Sequence, residues 1–129
     1  MLRNLLIENY ALIEKLDISF DGGLTIITGE TGAGKSILLG ALGLILGQRA
    51  DTSALFDKNK KCIIEGSFKI GGLNLEGLFM DNDLDYDEQA IFRREITPQG
   101  KSRAFINDTP VNINSINVIF VIVFFIECV

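Results

Sequence analysis

The stretch that decides the fold of this chain is Gly29-Glu30-Thr31-Gly32-Ala33-Gly34-Lys35-Ser36. It fits the pattern G-x-x-x-x-G-K-[ST], in which glycines let the backbone curl and turn its N–H groups inward around an anion. Lys35 is placed to reach the β- and γ-phosphates of a nucleoside triphosphate, and the Ser36 hydroxyl is placed to ligate Mg²⁺. Glu30 and Thr31 need only fit the loop. The stretch therefore predicts a phosphate-binding loop that spans residues 29–36.

The flanking segments supply the order of strand, loop and helix that this motif requires. Residues 24–28 form a short β-branched run that is typical of a buried central strand. Residues 37–46 carry no charge and predict a helix buried on most sides, which Gly47 is expected to end as a left-handed residue. The unpaired N–H groups and the positive dipole end at the start of such a helix favour a bound triphosphate.

Alternation of apolar and polar residues predicts further β-structure. The alternating segments are residues 16–20 and 62–70, and residues 2–8, 90–96 and 102–107 are expected to be strands that form hairpins. Residues 2–8 and 16–20 are expected to form a first hairpin, residues 62–70 an outer strand, and residues 90–96 and 102–107 a second hairpin in which Gly100 takes a positive φ. Residues 73–80 predict a two-turn helix, and the acidic residues that follow, up to Glu88, are expected to be solvated.

Composition narrows the possible functions. With 129 residues, 47% of them hydrophobic and 22% charged, the chain is too short for a multi-domain enzyme and too apolar for a disordered one. A net charge of −5 argues against a general polyanion binder, and the lack of histidine excludes histidine-dependent catalysis. Cys62 and Cys128 are expected to be reduced thiols. Since the first residues do not look like a secretory signal and the apolar run at 118–126 is too short to span a bilayer, no membrane contact and a cytoplasmic location are expected.

Several stretches together resemble the start of the RecN family of bacterial DNA-repair ATPases, relatives of the structural-maintenance-of-chromosomes (SMC) proteins. They are residues 5–13, 16–20, 23–36, 44–51, 91–96 and 100–107, so that the likeness covers roughly residues 1–112. The resemblance implies an α/β P-loop NTPase fold, the N-terminal lobe of an ABC/SMC-type head, with a mixed sheet and an antiparallel β subdomain. It also implies that residues 29–36 bind ATP, that a second head covers the nucleotide, and that the cycle acts on DNA at double-strand breaks.

Parts of the family pattern are missing from the sequence. The family has a glutamine-bearing loop, a coiled coil, a signature motif and a Walker B acidic pair, and none of these is found here. Phosphoryl transfer depends on such positioning groups, so the chain alone is expected to be a poor ATPase. Two alternatives to an ATP-binding repair ATPase therefore stay open, a truncated non-catalytic fragment and a small P-loop kinase or GTPase.

Residues 113–129 form an apolar tail that departs from the family pattern and shows no helical period. Three interpretations compete: a buried strand, an exposed β-prone segment, and sequence that is foreign to the family after a truncation or frame change. We favour the last one, because a globular lobe rarely ends in an unprotected apolar run. The expected domain limits are therefore 1–112 for the lobe and 113–129 for the tail.

Four basic residues lie on the predicted second hairpin: Arg93, Arg94, Lys101 and Arg103. They could meet a phosphate backbone of DNA, or they could form a solvated face with cross-strand pairs to Glu95. We favour the second interpretation, because neighbouring residues on a strand face opposite sides.

Overall fold

A computed structural model describes residues 2–20 and 32–128 of the chain, without the side chains of residues 32–35 and 124–128. Its elements are β1 (Leu2–Tyr10), β2 (Ile13–Ser19), α1 (Gly32–Ile45), a short 3₁₀ turn (Thr52–Ala54), β3 (Cys62–Lys69), α2 (Glu76–Asp81), β4 (Gln89–Ile96), β5 (Ser102–Ile106), β6 (Thr109–Val111) and α3 (Ile113–Cys128). The six strands form one sheet in the order β2-β1-β3-β4-β5-β6, and every described pair of neighbours is antiparallel. The antiparallel β subdomain is thus confirmed, whereas residues 24–28, expected to make the sheet mixed, lie outside the described residues.

Both predicted hairpins are confirmed. β1 and β2 pair with Leu5 opposite Ile18, and the turn between them contains the left-handed residue Ala11 (φ 52°). β4 and β5 pair through a turn in which Gly100 has φ 90°, as expected. The strand β6 was not predicted; it is only three residues long and lies at the sheet edge, where its proline costs no interior ladder bond.

The position predicted for β3 was wrong. We expected an outer strand, but β3 lies between β1 and β4 in the middle of the sheet. Its inward residues, such as Ile64 and Phe68, are buried, whereas Glu65 and Ser67 on the other face are only half-buried. A central strand in a sheet that is covered on one face alternates in the same way as an edge strand, so the pattern could not separate the two.

The tail forms a helix, which contradicts the buried-strand interpretation and the absence of a helical period. Four residues of α3 are buried at the spacing i, i+3, i+4 and i+7: Ile116, Ile119, Phe120 and Val123. Phe120 packs edge-on against Phe68 and Phe92, with ring centroids 5.2 and 5.5 Å apart, so α3 completes the core over β3 and β4.

The remaining helix and the acidic segment agree with expectation in outline. α2 runs from Glu76 to Asp81, shorter than the predicted residues 73–80 and displaced towards the C-terminus. The acidic residues that follow it, among them Asp83 and Glu88, are exposed. Within the described ranges, no helix combines the length and apolar character that a membrane crossing requires.

Candidate functional site

The second half of the phosphate-binding motif forms the first turn of α1. The helix begins at Gly32, so the prediction of a loop as far as Ser36 was wrong, because the last residues of the motif already take helical conformation. Gly29, Glu30 and Thr31 lie outside the described residues, as do the side chains of Ala33 and Lys35. The Ser36 side chain is exposed.

The start of α1 fits an anionic ligand. The first four N–H groups of a helix have no intrahelical acceptor, and here they belong to the motif residues from Gly32 to Lys35. The first turn contains no acidic residue that would repel or replace a phosphate. Ser36 offers an exposed hydroxyl next to these groups, which is the donor type that Mg²⁺ accepts in such loops. The residues present therefore suit a nucleotide triphosphate and its magnesium ion.

The body of α1 is fixed on the sheet by close packing. Ala41 and Ile45 are fully buried, and the side chain of Ile45 lies against Gly66 of β3, where a Cβ atom would come within 3.1 Å of it. Gly40 plays the same part nearer the N-terminal end of the helix, since a Cβ atom there would clash with the hydroxyl group of Tyr10. The glycines thus allow α1 to approach β1 and β3 more closely than a larger residue would.

The C-terminal end of α1 is closed by backbone and side-chain hydrogen bonds. Gly47 has φ 95°, which confirms the predicted left-handed residue, and its N–H donates to the carbonyl of Leu44 at 3.1 Å. The N–H of Gln48 donates to the carbonyl of Gly43 at 3.0 Å, so that the two bonds form a Schellman motif. From α3, the Asn117 side chain donates to the carbonyl of Leu46 at 2.6 Å.

Arg94 of β4 donates to the same end of the helix from inside the core. Its Nη1 donates to the carbonyls of Leu44 at 2.7 Å and Gln48 at 2.9 Å, and its Nε donates to the Ser102 hydroxyl at 2.6 Å. The residue is only 2% exposed. Burial lowers the pKa of Arg94 and the neighbouring Cys62 raises it, but a guanidinium stays protonated in proteins. The last turn of α1 has no basic residue of its own, so Arg94 supplies the cation that this dipole end favours.

Sequence reasoning missed this role of Arg94, although a signal was present. In the alternation of β4, Arg94 falls on the inward side together with Phe92 and Ile96. An arginine at an inward position is almost never fully buried without partners, so its position already indicates acceptors in the core.

The four basic residues of the second hairpin do not form one patch. Arg94 is buried, whereas Arg93 lies on the other face and forms an ion pair with Glu95 at 2.7 Å. Glu95 also forms an ion pair with Lys61, with 3.4 Å between Nζ and Oε1, and lies opposite Arg103 in the strand register. The expected opposite facing of Arg93 and Arg94 is confirmed. The expected pairing to Glu95 is found for Arg93, but along the same strand and not across strands.

Cys62 at the start of β3 and Asn9 near the end of β1 stabilise the fold and are not part of the candidate nucleotide site. Cys62 is fully buried on β3, and burial raises the pKa of its thiol to about 11, so it is a core residue as the sequence predicts. Asn9 was not singled out, yet its side-chain amide donates to the carbonyls of Asp57 at 3.0 Å and Lys60 at 2.9 Å. It thereby holds the loop before β3 against the end of β1.

Comparison with known proteins agrees with the resemblance found in the sequence. The family model described as AAA domain matches residues 4–121. The DNA repair protein RecN of Vibrio cholerae serotype O1 is 41% identical over 117 residues, which are 90% of this chain and 21% of that protein. RecN of Bacillus subtilis strain 168 is 40% identical over 118 residues, 90% of this chain and 20% of that protein. The chain therefore spans about a fifth of the length of the curated relatives it matches.

A solved structure shows the fold. An SMC ATPase, from a study of ATP-driven dimerisation and DNA-stimulated activation, superposes with a TM-score of 0.71 and 21% identity, covering 95% of this chain and 79% of that one. The predicted fold class, an N-terminal lobe of an ABC/SMC-type P-loop ATPase head, is thereby confirmed, and the alternative of a small kinase or GTPase is not favoured. Because the family model matches nearly the whole chain, this protein belongs to the AAA domain family and is similar to the amino-terminal part of RecN.

Proposed function

We propose that this chain is the ATP-binding N-terminal lobe of the ATPase head of a RecN-like DNA-repair protein. Residues 29–36 bind the phosphates of ATP, with Lys35 at the β- and γ-phosphates and Ser36 as a ligand of Mg²⁺. The observation that carries this proposal is that α1 begins inside the motif, at Gly32, so that N–H groups without an acceptor in the helix belong to motif residues, and that its first turn has no acidic residue. The bound magnesium supplies charge neutralisation to the phosphates, and the chain supplies the donors that orient them.

The relatives support a proposal for the role of the whole protein. RecN is named for DNA repair, and the SMC ATPases of the matched structure dimerise under ATP and are activated by DNA. We extend this to the present chain as a head that pairs with a second head over the nucleotide, acts on DNA double-strand breaks and works in the cytoplasm. Since the Walker B pair and signature motif are missing from the sequence, hydrolysis depends on a second lobe.

Nucleotide titration tests the site. Magnesium and a non-hydrolysable ATP analogue are titrated into the chain by calorimetry, and Lys35→Ala is expected to weaken binding at least about tenfold, because it removes a charge-assisted contact to phosphate. Lys69→Ala, on a strand outside the motif, removes the same charge from the chain and serves as the control. Equal affinity of the wild-type chain and Lys35→Ala would contradict the proposed site.

Hydrolysis is measured in the same preparation. The isolated chain is expected to show no appreciable turnover of ATP with magnesium, because the groups that position water and the second face of the nucleotide are missing. Substantial turnover by the chain alone would contradict the dependence on a second lobe.

A further inference from the structure

We propose that Arg94 is a positioning residue for nucleotide binding. Through its hydrogen bonds to the C-terminal end of α1, it fixes where the N-terminal end of that helix presents its N–H groups. The inference rests on the proposed function, because it concerns the same loop and the same ligand.

The first step concerns what Arg94 connects. Its guanidinium joins β4 and the hydroxyl of Ser102 on β5 to the carbonyls of Leu44 and Gln48 at the end of α1. A planar fork of donors in a rigid geometry fixes both distance and direction, which a single point charge does not. The helix is therefore tied to the two strands at a defined position along its axis.

The second step concerns what else could set that position. Apolar contacts of Ala41 and Ile45 hold α1 against the sheet, but such contacts have little directional preference. Asn117 of α3 contributes only one hydrogen bond, to the carbonyl of Leu46, and its side chain is exposed. Among the described residues, no carboxylate forms an ion pair with Arg94, so its charge is satisfied by the helix end and Ser102.

The third step concerns transmission to the nucleotide. Gly32 lies twelve residues before Leu44, about 18 Å along a helix that rises 1.5 Å per residue. A hydrogen-bonded helix moves as a unit, so a shift or tilt at the C-terminal end displaces the N–H groups of the first turn. Hydrogen bonds weaken steeply as their distance and angle depart from the preferred values, so displaced N–H groups should bind the phosphates more weakly.

The experiment uses the full chain and a matched pair of variants. Arg94→Met removes the charge and the fork while keeping an unbranched apolar side chain, and Arg94→Lys keeps the charge without the fork. Arg93→Met is the control, because Arg93 directly precedes Arg94 on β4, lies on the other face of the sheet and pairs with Glu95. Affinity for magnesium and the non-hydrolysable ATP analogue is measured at a temperature where circular dichroism shows every variant to be folded.

We expect Arg94→Met to bind about tenfold more weakly, the effect of losing roughly one hydrogen bond to a charged phosphate. Arg94→Lys is expected to fall between this variant and the wild type, and Arg93→Met to bind like the wild type. Hydrogen exchange without nucleotide supplies the second readout. In Arg94→Met, the amides of residues 37–41 are expected to exchange faster, while those of β1 and β3 keep their wild-type rates.

Two results would overturn the inference. One is wild-type affinity in a folded Arg94→Met variant. The other is an equal acceleration of exchange in α1, β1 and β3, which indicates general destabilisation without a positioning role. If Arg94→Met does not fold, Ser102→Ala tests the inference in its place, because it removes the hydroxyl that accepts from Arg94 Nε at an exposed position. Ser102→Ala is expected to weaken nucleotide binding about threefold. Unchanged affinity of this variant would overturn the inference.

Failure of the proposed function gives a different pattern. In that case the wild-type chain binds no nucleotide, or Lys35→Ala binds as well as the wild type. The exchange measurement on residues 37–41 still reports whether Arg94 fixes α1, because it needs no ligand.

Discussion

Truncation of Phe120 tests whether the apolar tail is part of the folded core. Phe120 lies on α3, is 4% exposed and packs edge-on against Phe68 and Phe92. It therefore connects the last helix to the two central strands of the sheet. Phe120→Ala removes these contacts without changing the charge of the chain.

The magnitude follows from the burial and the ring geometry. A buried Phe→Ala change costs about 3–5 kcal/mol, which includes the lost transfer free energy and the cavity left behind. Two T-shaped ring pairs, at 5.2 and 5.5 Å, contribute about 0.5–1.5 kcal/mol each within that cost and favour the upper half of the range. We expect a loss of about 4 kcal/mol, a large share of the roughly 5–15 kcal/mol that stabilises a domain.

Urea unfolding followed by circular dichroism measures this loss. The matched control is Val118→Ala, which removes an apolar side chain from the same helix at a position that is 56% exposed. The control is expected to change the free energy of unfolding by no more than about 0.5 kcal/mol. If both variants unfold at the wild-type urea midpoint, α3 does not pack on the sheet and the reasoning from ring contacts is refuted.

Two further predictions concern α1 and the core cysteine. Gly47→Ala is expected to destabilise the chain by about 1–3 kcal/mol, because alanine is strained at φ 95° and its Cβ atom would lie 3.0 Å from the carbonyl oxygen of Ile113. The control is Gly77→Ala inside α2, where nothing lies within 4 Å of the new Cβ atom. In thermal unfolding, this control should be neutral or slightly stabilising. Burial raises the pKa of the Cys62 thiol from its ordinary 9.0 to about 11, so the unfolded chain loses this proton first. The free energy of unfolding should therefore fall from pH 9 to pH 11 more steeply in the wild type than in Cys62→Ala, and parallel curves would contradict the shift.

The sequence predicted correctly those features for which the local residue pattern is compatible with only one backbone conformation. Alternation identified β2 and β3 because one face of each is more buried than the other. Gly47 ended the helix as expected, since its positive φ is strained for other residues. The hairpin turn at Gly100 follows from the same argument.

Two of the failures, the place of β3 and the role of Arg94, have a common cause, namely that the deciding partner is distant in sequence. The place of β3 within the sheet depends on which strands come to lie beside it, and its own alternation does not contain that information. The role of Arg94 depends on carbonyls at the end of α1, 50 residues away from it in the chain at Leu44. Those acceptors become available only when the helix ends in the right place.

The tail helix was missed for a different reason. Its buried positions do follow the helical spacing, but its exposed positions, such as Val118 and Val121, are apolar as well. A hydrophobic period is visible only against polar residues on the opposite face, so a run that is apolar on both faces looks the same for a helix and for a strand. Whether this segment is foreign to the family, and whether the lobe ends at residue 112, stay predictions.

The design of α1 explains why its anchoring and its site belong together. Gly40 and Gly43 each cost about 1 kcal/mol relative to alanine within a helix, so α1 draws its stability from packing more than from propensity. Its first turn lacks the acidic residue that would stabilise the positive dipole end, which leaves that end available for a phosphate. At the C-terminal end of α1, the buried guanidinium of Arg94 meets the Schellman turn at Gly47. Loosening the C-terminal end of α1 should therefore displace the N–H groups of its first turn, which belong to the motif.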